Sequence, residues 1–158
     1  MTPPPVCSDS KDRFAYANQT GGGVIEVKLD SGIRGIRISW VQKIVNAALA
    51  LEKKKNLRVG VLLTDNRRIR RINKHHLGHD YATDVISFGL DEAGYLGDLA
   101  VSVQTAKEFA RELGIPVKEE LARYLVHGTL HLLGYDDKKP KDKKKMHTRQ
   151  EKILTRIL

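Results

Sequence analysis

The chain reads as an α+β protein: a single domain with a small mixed four-stranded sheet and about five helices, one of them carrying two histidines a turn apart. Three observations point there. Short apolar or alternating runs interleave with segments of helical period, in the order β-α-β-α-β-β-α-α-α. The third and fourth strands are joined by a short Gly-containing connection, which favours an antiparallel hairpin. The 158 residues are 41% hydrophobic and 30% charged, enough for one packed core and short for two domains.

Residues 1–23 are rich in Pro, Ser, Asn and Gly without a sustained period, and are expected to be a flexible tail ahead of a domain over 24–158. Residues 24–29 (VIEVKL) alternate apolar and charged, as a half-buried strand does. Ser39 is expected to cap a helix over about 40–54, with Trp40, Ile44, Val45, Ala48 and Leu51 on one face. Residues 57–63 (LRVGVLL) read as the second strand. Thr64 and Asp65 can cap a helix over about 65–75 whose Ile69 and Ile72 point inward, which puts Arg67, Arg68, Arg70, Arg71 and Lys74 mostly outward. A loop over 76–82 leads to a strand at 84–88, a turn at 91–94 and a strand at 99–103. A helix over about 104–113 is stopped by Gly114 and Pro116. The next, about 118–133, has Glu119 and Glu120 in its first turn and Gly134 as its stop. The last covers about 141–157.

The formal net charge is +9, and it is concentrated. Residues 53–74 hold nine Lys/Arg and one acid; residues 138–158 hold nine Lys/Arg and two acids. Two basic stretches suggest a polyanion partner, RNA or DNA, although a charge run by itself also serves as a solvated face. Aromatics are only 6%, so composition offers no obvious platform for stacked bases. One cysteine, Cys7, excludes an intramolecular disulfide framework and a multi-Cys zinc module. No apolar run approaches the ~18–20 residues of a membrane span, and the N-terminus has no apolar h-region. These features fit a soluble cytoplasmic protein.

The stretch that carries chemistry is His127-Gly-Thr-Leu-His131-Leu-Leu-Gly134-Tyr-Asp136-Asp137. Residues four apart on a helix project from one face, so His127 and His131 can bind one metal ion. Gly134 breaks the helix, and the turn can return Asp137 as an oxygen ligand. Two neutral nitrogens and a carboxylate suit Zn²⁺, with one position open for a water. Spacing leaves open whether Asp136 or Asp137 lies nearer the metal. Paired histidines recur on helices without a metal, and the Gly and the acids at their expected places are what set this pair apart. The spacing matches the zincin pattern H-x-x-x-H-x-x-G-x-x-H. Gly128, however, stands where a zinc protease has its general-base Glu, which argues against proteolysis.

With HGTLHLLGYDD in place, the chain resembles the YbeY family, bacterial rRNA maturation factors regarded as metal-dependent endoribonucleases, whose hallmark is H-G-x-L-H-L-x-G-Y-D-H. The resemblance covers roughly 24–158 and includes Thr83-Asp84-Val85-Ile86-Ser87-Phe88, Leu96-Gly97-Asp98, the loop from Asn73 to Asp80, and the closing helix with Met146, Gln150-Glu151 and Ile153-Leu154. It implies one Zn²⁺ per chain held by His127, His131 and Asp137, the last replacing the family's third His. A second departure is Leu77, at the place where many members carry an Arg associated with RNA cleavage.

The resemblance implies a single-strand endoribonuclease acting in 16S rRNA 3′-end processing and ribosome quality control. Its partners would be single-stranded rRNA and the small ribosomal subunit. Arg67, Arg68, Arg70, Arg71 and Lys74 are the candidate RNA-binding residues, and Lys138 to Lys145 can extend the track. No residue stands out as general base. The alternative is a non-catalytic assembly factor with a structural metal; a zinc hydrolase of peptides is disfavoured by Gly128. Trp40 reads as core or rim, Ser87 as a strand residue without a triad, and His147 as a solvated helix residue; Asp84 and Asp98 read as satisfying backbone groups at strand ends, with the family resemblance offering the cleft wall or a protein partner as the alternative.

Overall fold

The structure is a computed structural model that describes residues 23–158. The expected tail over 1–23 lies outside the described residues, apart from Gly23. Nine elements follow in the expected order: β1 (Ile25–Leu29), α1 (Ile38–Leu51), β2 (Arg58–Thr64), α2 (Asn66–Leu77), β3 (Val85–Glu92), β4 (Tyr95–Ser102), α3 (Val103–Leu113), α4 (Val117–Leu132) and α5 (Pro140–Ile157). The sheet order is β1-β2-β4-β3, with β1–β2 and β2–β4 parallel and β3–β4 antiparallel. The sheet is therefore mixed, and β3 is an edge.

Alternation along the strands divides the apolar residues between two layers. Val59, Val61 and Leu63 of β2 and Leu99 and Val101 of β4 face a core completed by α1, α3, α4 and α5. Leu62, Ala100, Ile86 and Phe88 face the other way, onto Ile69 and Ile72 of α2. β2 is buried on both faces because it is interior and parallel to both neighbours. α4 is buried nearly all round, between the sheet, α1, α3 and α5. Gly128 permits this. A Cβ there would lie 2.8 Å from Leu99 Cδ2 and 3.0 Å from Val85 Cγ2. The position where a zinc protease carries Glu is thus pressed against the sheet, with no room for that side chain.

Several expected boundaries are corrected. α1 begins at Ile38 behind Arg37, with no side-chain cap, so Ser39 lies inside the helix. Asp65 does cap α2, accepting from the Arg68 N–H at 2.9 Å, while Thr64 ends β2. α2 continues to Leu77, two residues beyond its expected end. β3 and β4 extend to Glu92 and back from Tyr95, leaving a tight turn at Ala93-Gly94. Asp98 is not a strand-end cap. It is fully buried within β4, where its Oδ1 accepts from the Tyr95 hydroxyl. Asp84 does serve a strand start, accepting from the Val85 N–H at 2.7 Å. No helix among the described residues is long and apolar enough to cross a membrane.

Candidate metal centre

The helical spacing delivers the pair as expected: His127 Nε2 and His131 Nε2 are 3.1 Å apart on α4. The chain then reverses. Gly134 takes φ 101°, which a side chain disfavours, and the Tyr135 N–H returns to the Leu130 carbonyl at 3.0 Å. This turn aims Asp137 at the histidines, with Oδ2 3.3 Å from His131 Nε2 and 3.7 Å from His127 Nε2. Of the two acids that spacing leaves open, Asp137 is the one that faces the histidines. Asp136 caps its own turn, its Oδ1 accepting from the Lys138 N–H at 3.1 Å, and that bond holds its carboxyl below the usual carboxylate range.

Among the described residues, His127, His131 and Asp137 form the one such group, with ligand atoms all within 4.8 Å of one another. Donors about 2.0 Å from a shared tetrahedral ion sit about 3.3 Å apart, so these separations fit a divalent cation of zinc's size. The nitrogen–nitrogen–oxygen donor set fits the same ion.

The outer nitrogens are also fixed. Arg123 Nε donates to Glu151 Oε1 at 3.0 Å, and Gln150 Nε2 donates to the same oxygen at 3.2 Å. The Gln150 amide is thereby oriented with Oε1 toward His127 Nδ1, 2.7 Å away, so Nδ1 carries the proton and Nε2 presents its lone pair. His131 Nδ1 likewise donates to the Tyr135 carbonyl at 3.0 Å. Tyr135 is held in turn: its hydroxyl donates to Glu52 Oε2 at 3.0 Å, and Arg149 clasps the other Glu52 oxygen. Burial pushes the His127 pKa down, in the direction of the neutral ring that a ligand must present. Gln150→Leu leaves His127 Nδ1 without its acceptor and is expected to weaken metal binding by about 10–100-fold in a chelator competition.

The histidines lie in a cleft of about 720 Å³ along the β3 edge, lined also by Leu77, His79, Tyr81, Thr83, Asp84, Ser87 and Lys138. Ser87 Oγ donates to the Gly128 carbonyl at 3.1 Å and joins the wall. A second groove, of about 800 Å³, runs along α2 past Arg67, Arg70, Arg71 and Lys74. The expected basic set is split by the structure. Arg68 turns away from the groove and pairs with Asp30 behind β1. Arg70 and Lys74 flank Asp80, at 2.8 and 3.7 Å. His147 is exposed on α5 and does not join the site. Gln150, Glu52 and Arg149 carry no local sequence signal as site supports, since they reach His127 and Tyr135 only through tertiary contacts.

The chain is similar in sequence to proteins of one family over most of its length. A family model described as Endoribonuclease YbeY matches residues 33–158. The chain is 39% identical to Endoribonuclease YbeY of Sulfurihydrogenibium sp. over 146 residues, covering 89% of this chain and 96% of the relative. It is 40% identical to Endoribonuclease YbeY of Bacillus licheniformis over 134 residues, covering 76% and 85%. A solution structure from Thermotoga maritima superposes with a TM-score of 0.63 at 27% identity, covering 85% of this chain and 89% of that one. With the match reaching through both histidines to the C-terminus, the chain belongs to the endoribonuclease YbeY family.

Proposed function

We propose that residues 24–158 form a zinc-dependent single-strand endoribonuclease domain that acts in the cytoplasm on rRNA of the small ribosomal subunit, in 16S 3′-end maturation and ribosome quality control. The observation that carries the reading is the convergence of His127, His131 and Asp137 in a cleft beside a basic groove. A divalent ion held by these three would supply a Lewis acid for a phosphoryl oxygen and would make a nearby water more acidic. Every other part falls to the chain itself. Gln150 and the Tyr135 carbonyl hold the imidazoles in the tautomer that leaves both Nε2 atoms free. Arg67, Arg70, Arg71 and Lys74 engage backbone phosphates, and Lys138 on the cleft wall continues the positive track. Arg68 contributes by tying α2 to Asp30 rather than by meeting RNA.

One feature favours the second reading, a non-catalytic RNA-binding assembly factor. Leu77 lies in the cleft and packs on the Ile69–Phe88 cluster, so the cation that many relatives are expected to carry there is absent. Cleavage of a single-stranded RNA by the full chain separates the two. Cleavage that stops with a chelator and returns with added zinc is expected; RNA binding without cleavage, with zinc supplied, decides for the assembly factor.

A further inference from the structure

The loop between α2 and β3 presents an aromatic surface that composition does not suggest. Tyr81 is 56% exposed, large for an aromatic ring in a folded domain. It is not loose. The buried Asn73 side chain donates to the Tyr81 carbonyl at 2.9 Å, and the Asn73 carbonyl accepts from the His79 N–H at 3.3 Å. One α2 residue thus pins both ends of the segment. The His79 and Tyr81 rings stack, with centroids 5.4 Å apart and planes 10° from parallel, and the Tyr81 hydroxyl contacts His79 Nδ1 at 3.2 Å. Tyr81 also borders both cavities: the basic groove with Arg67, Arg70, Arg71 and Lys74, and the cleft with His127, His131 and Asp137. In the groove, Asp80 opposes Arg70 and Lys74, while Arg67 and Arg71 are exposed and make no ion pair among the described residues.

A flexible polyanion crossing from the groove to the cleft must pass this ring. A duplex keeps its bases stacked inside and has no face to offer it, whereas a single strand can place a base there. We propose that Tyr81, backed by His79, is a base-stacking ledge that seats one nucleobase of a single-stranded RNA between the arginine groove and the metal cleft. Arg67 and Arg71 take the phosphates on the groove side. The inference rests on the ribonuclease reading and adds where the strand is gripped and how its register is set.

The test uses the full chain and a single-stranded oligoribonucleotide, 2′-O-methylated throughout to block cleavage and carrying 2-aminopurine at one position at a time. A fluorescence change confined to one or two positions is expected on binding. It disappears with Tyr81→Ala and returns with Tyr81→Phe, because the ring face and not the hydroxyl does the stacking. Tyr81→Ala is expected to raise Kd roughly tenfold, and with unmodified RNA the loss falls on KM rather than kcat. Arg71→Ala is expected to weaken binding and reduce its salt dependence while keeping the 2-aminopurine pattern. An unchanged Kd and an unchanged pattern in Tyr81→Ala overturn the ledge, as does a wild type that does not bind the oligonucleotide. A wild type that binds with the Tyr81-dependent signal but cuts nothing overturns the ribonuclease reading and leaves the ledge standing.

Discussion

His131→Ala is expected to empty the metal centre and to lower RNA cleavage by at least about a thousandfold, the scale on which a principal source of transition-state charge stabilisation is felt. The loss is larger than one ligand of three suggests. His131 Nε2 sits 3.1 Å from His127 Nε2 and 3.3 Å from Asp137 Oδ2, closest to both partners, so its removal leaves two donors 3.7 Å apart. It also frees the Tyr135 carbonyl that steadies the turn leading to Asp137. RNA affinity is expected to stay within about threefold of wild type, because the cations proposed to grip phosphate line a separate groove on α2. Steady-state cleavage and a binding titration on the same RNA check both halves. Strong cleavage by the variant, or equal losses of affinity and rate, places the chemistry elsewhere.

Gly97→Ala is expected to be the most damaging small substitution in the fold. Gly97 has φ 152°, and a Cβ there falls well inside contact distance of the Phe88 carbonyl oxygen and 2.7 Å from Leu132 Cδ2. The first neighbour is backbone in the paired edge strand and cannot yield without breaking the β3–β4 ladder. The second belongs to α4, one residue beyond His131. Backbone strain and overpacking together cost about 3–5 kcal/mol, a large share of the ~5–15 kcal/mol that holds such a domain together. A drop of roughly 10 °C in the thermal midpoint is the corresponding readout. An unchanged midpoint contradicts the register between β3 and β4.

These two positions also mark how far the sequence reaches. The order of elements is legible because each is long enough to show its period, and β2 and α4 carry unmistakable apolar runs. The β3–β4 hairpin runs longer than its apolar centre indicates, and the extra length is hidden because Asp91, Gly97 and Asp98 are residue types that ordinarily signal turns. Here Gly97 makes room for the Phe88 backbone, and Asp98 is buried against the Tyr95 hydroxyl. α1 starts before Ser39 because the start of its first turn is exposed, so water can serve the free N–H groups and no side-chain cap is required. The three candidate ligands are legible because they are local: two residues one turn apart and a third just past a glycine stop. Their supports are not. Gln150 lies 23 residues from His127, and Arg149 lies 97 from the Glu52 it clasps. No local pattern links such pairs. The Tyr81 ledge is hidden for a related reason, since a low aromatic fraction counts rings without saying which of them face solvent beside a cleft.

Metal content per chain, measured by elemental analysis on wild type, His131→Ala and Asp137→Ala after zinc supply and dialysis, tests the three-donor centre most directly. About one zinc per wild-type chain is expected, with most of it lost in both variants. A wild type that retains none, or an Asp137→Ala protein that keeps its full complement, contradicts the centre built from His127, His131 and Asp137.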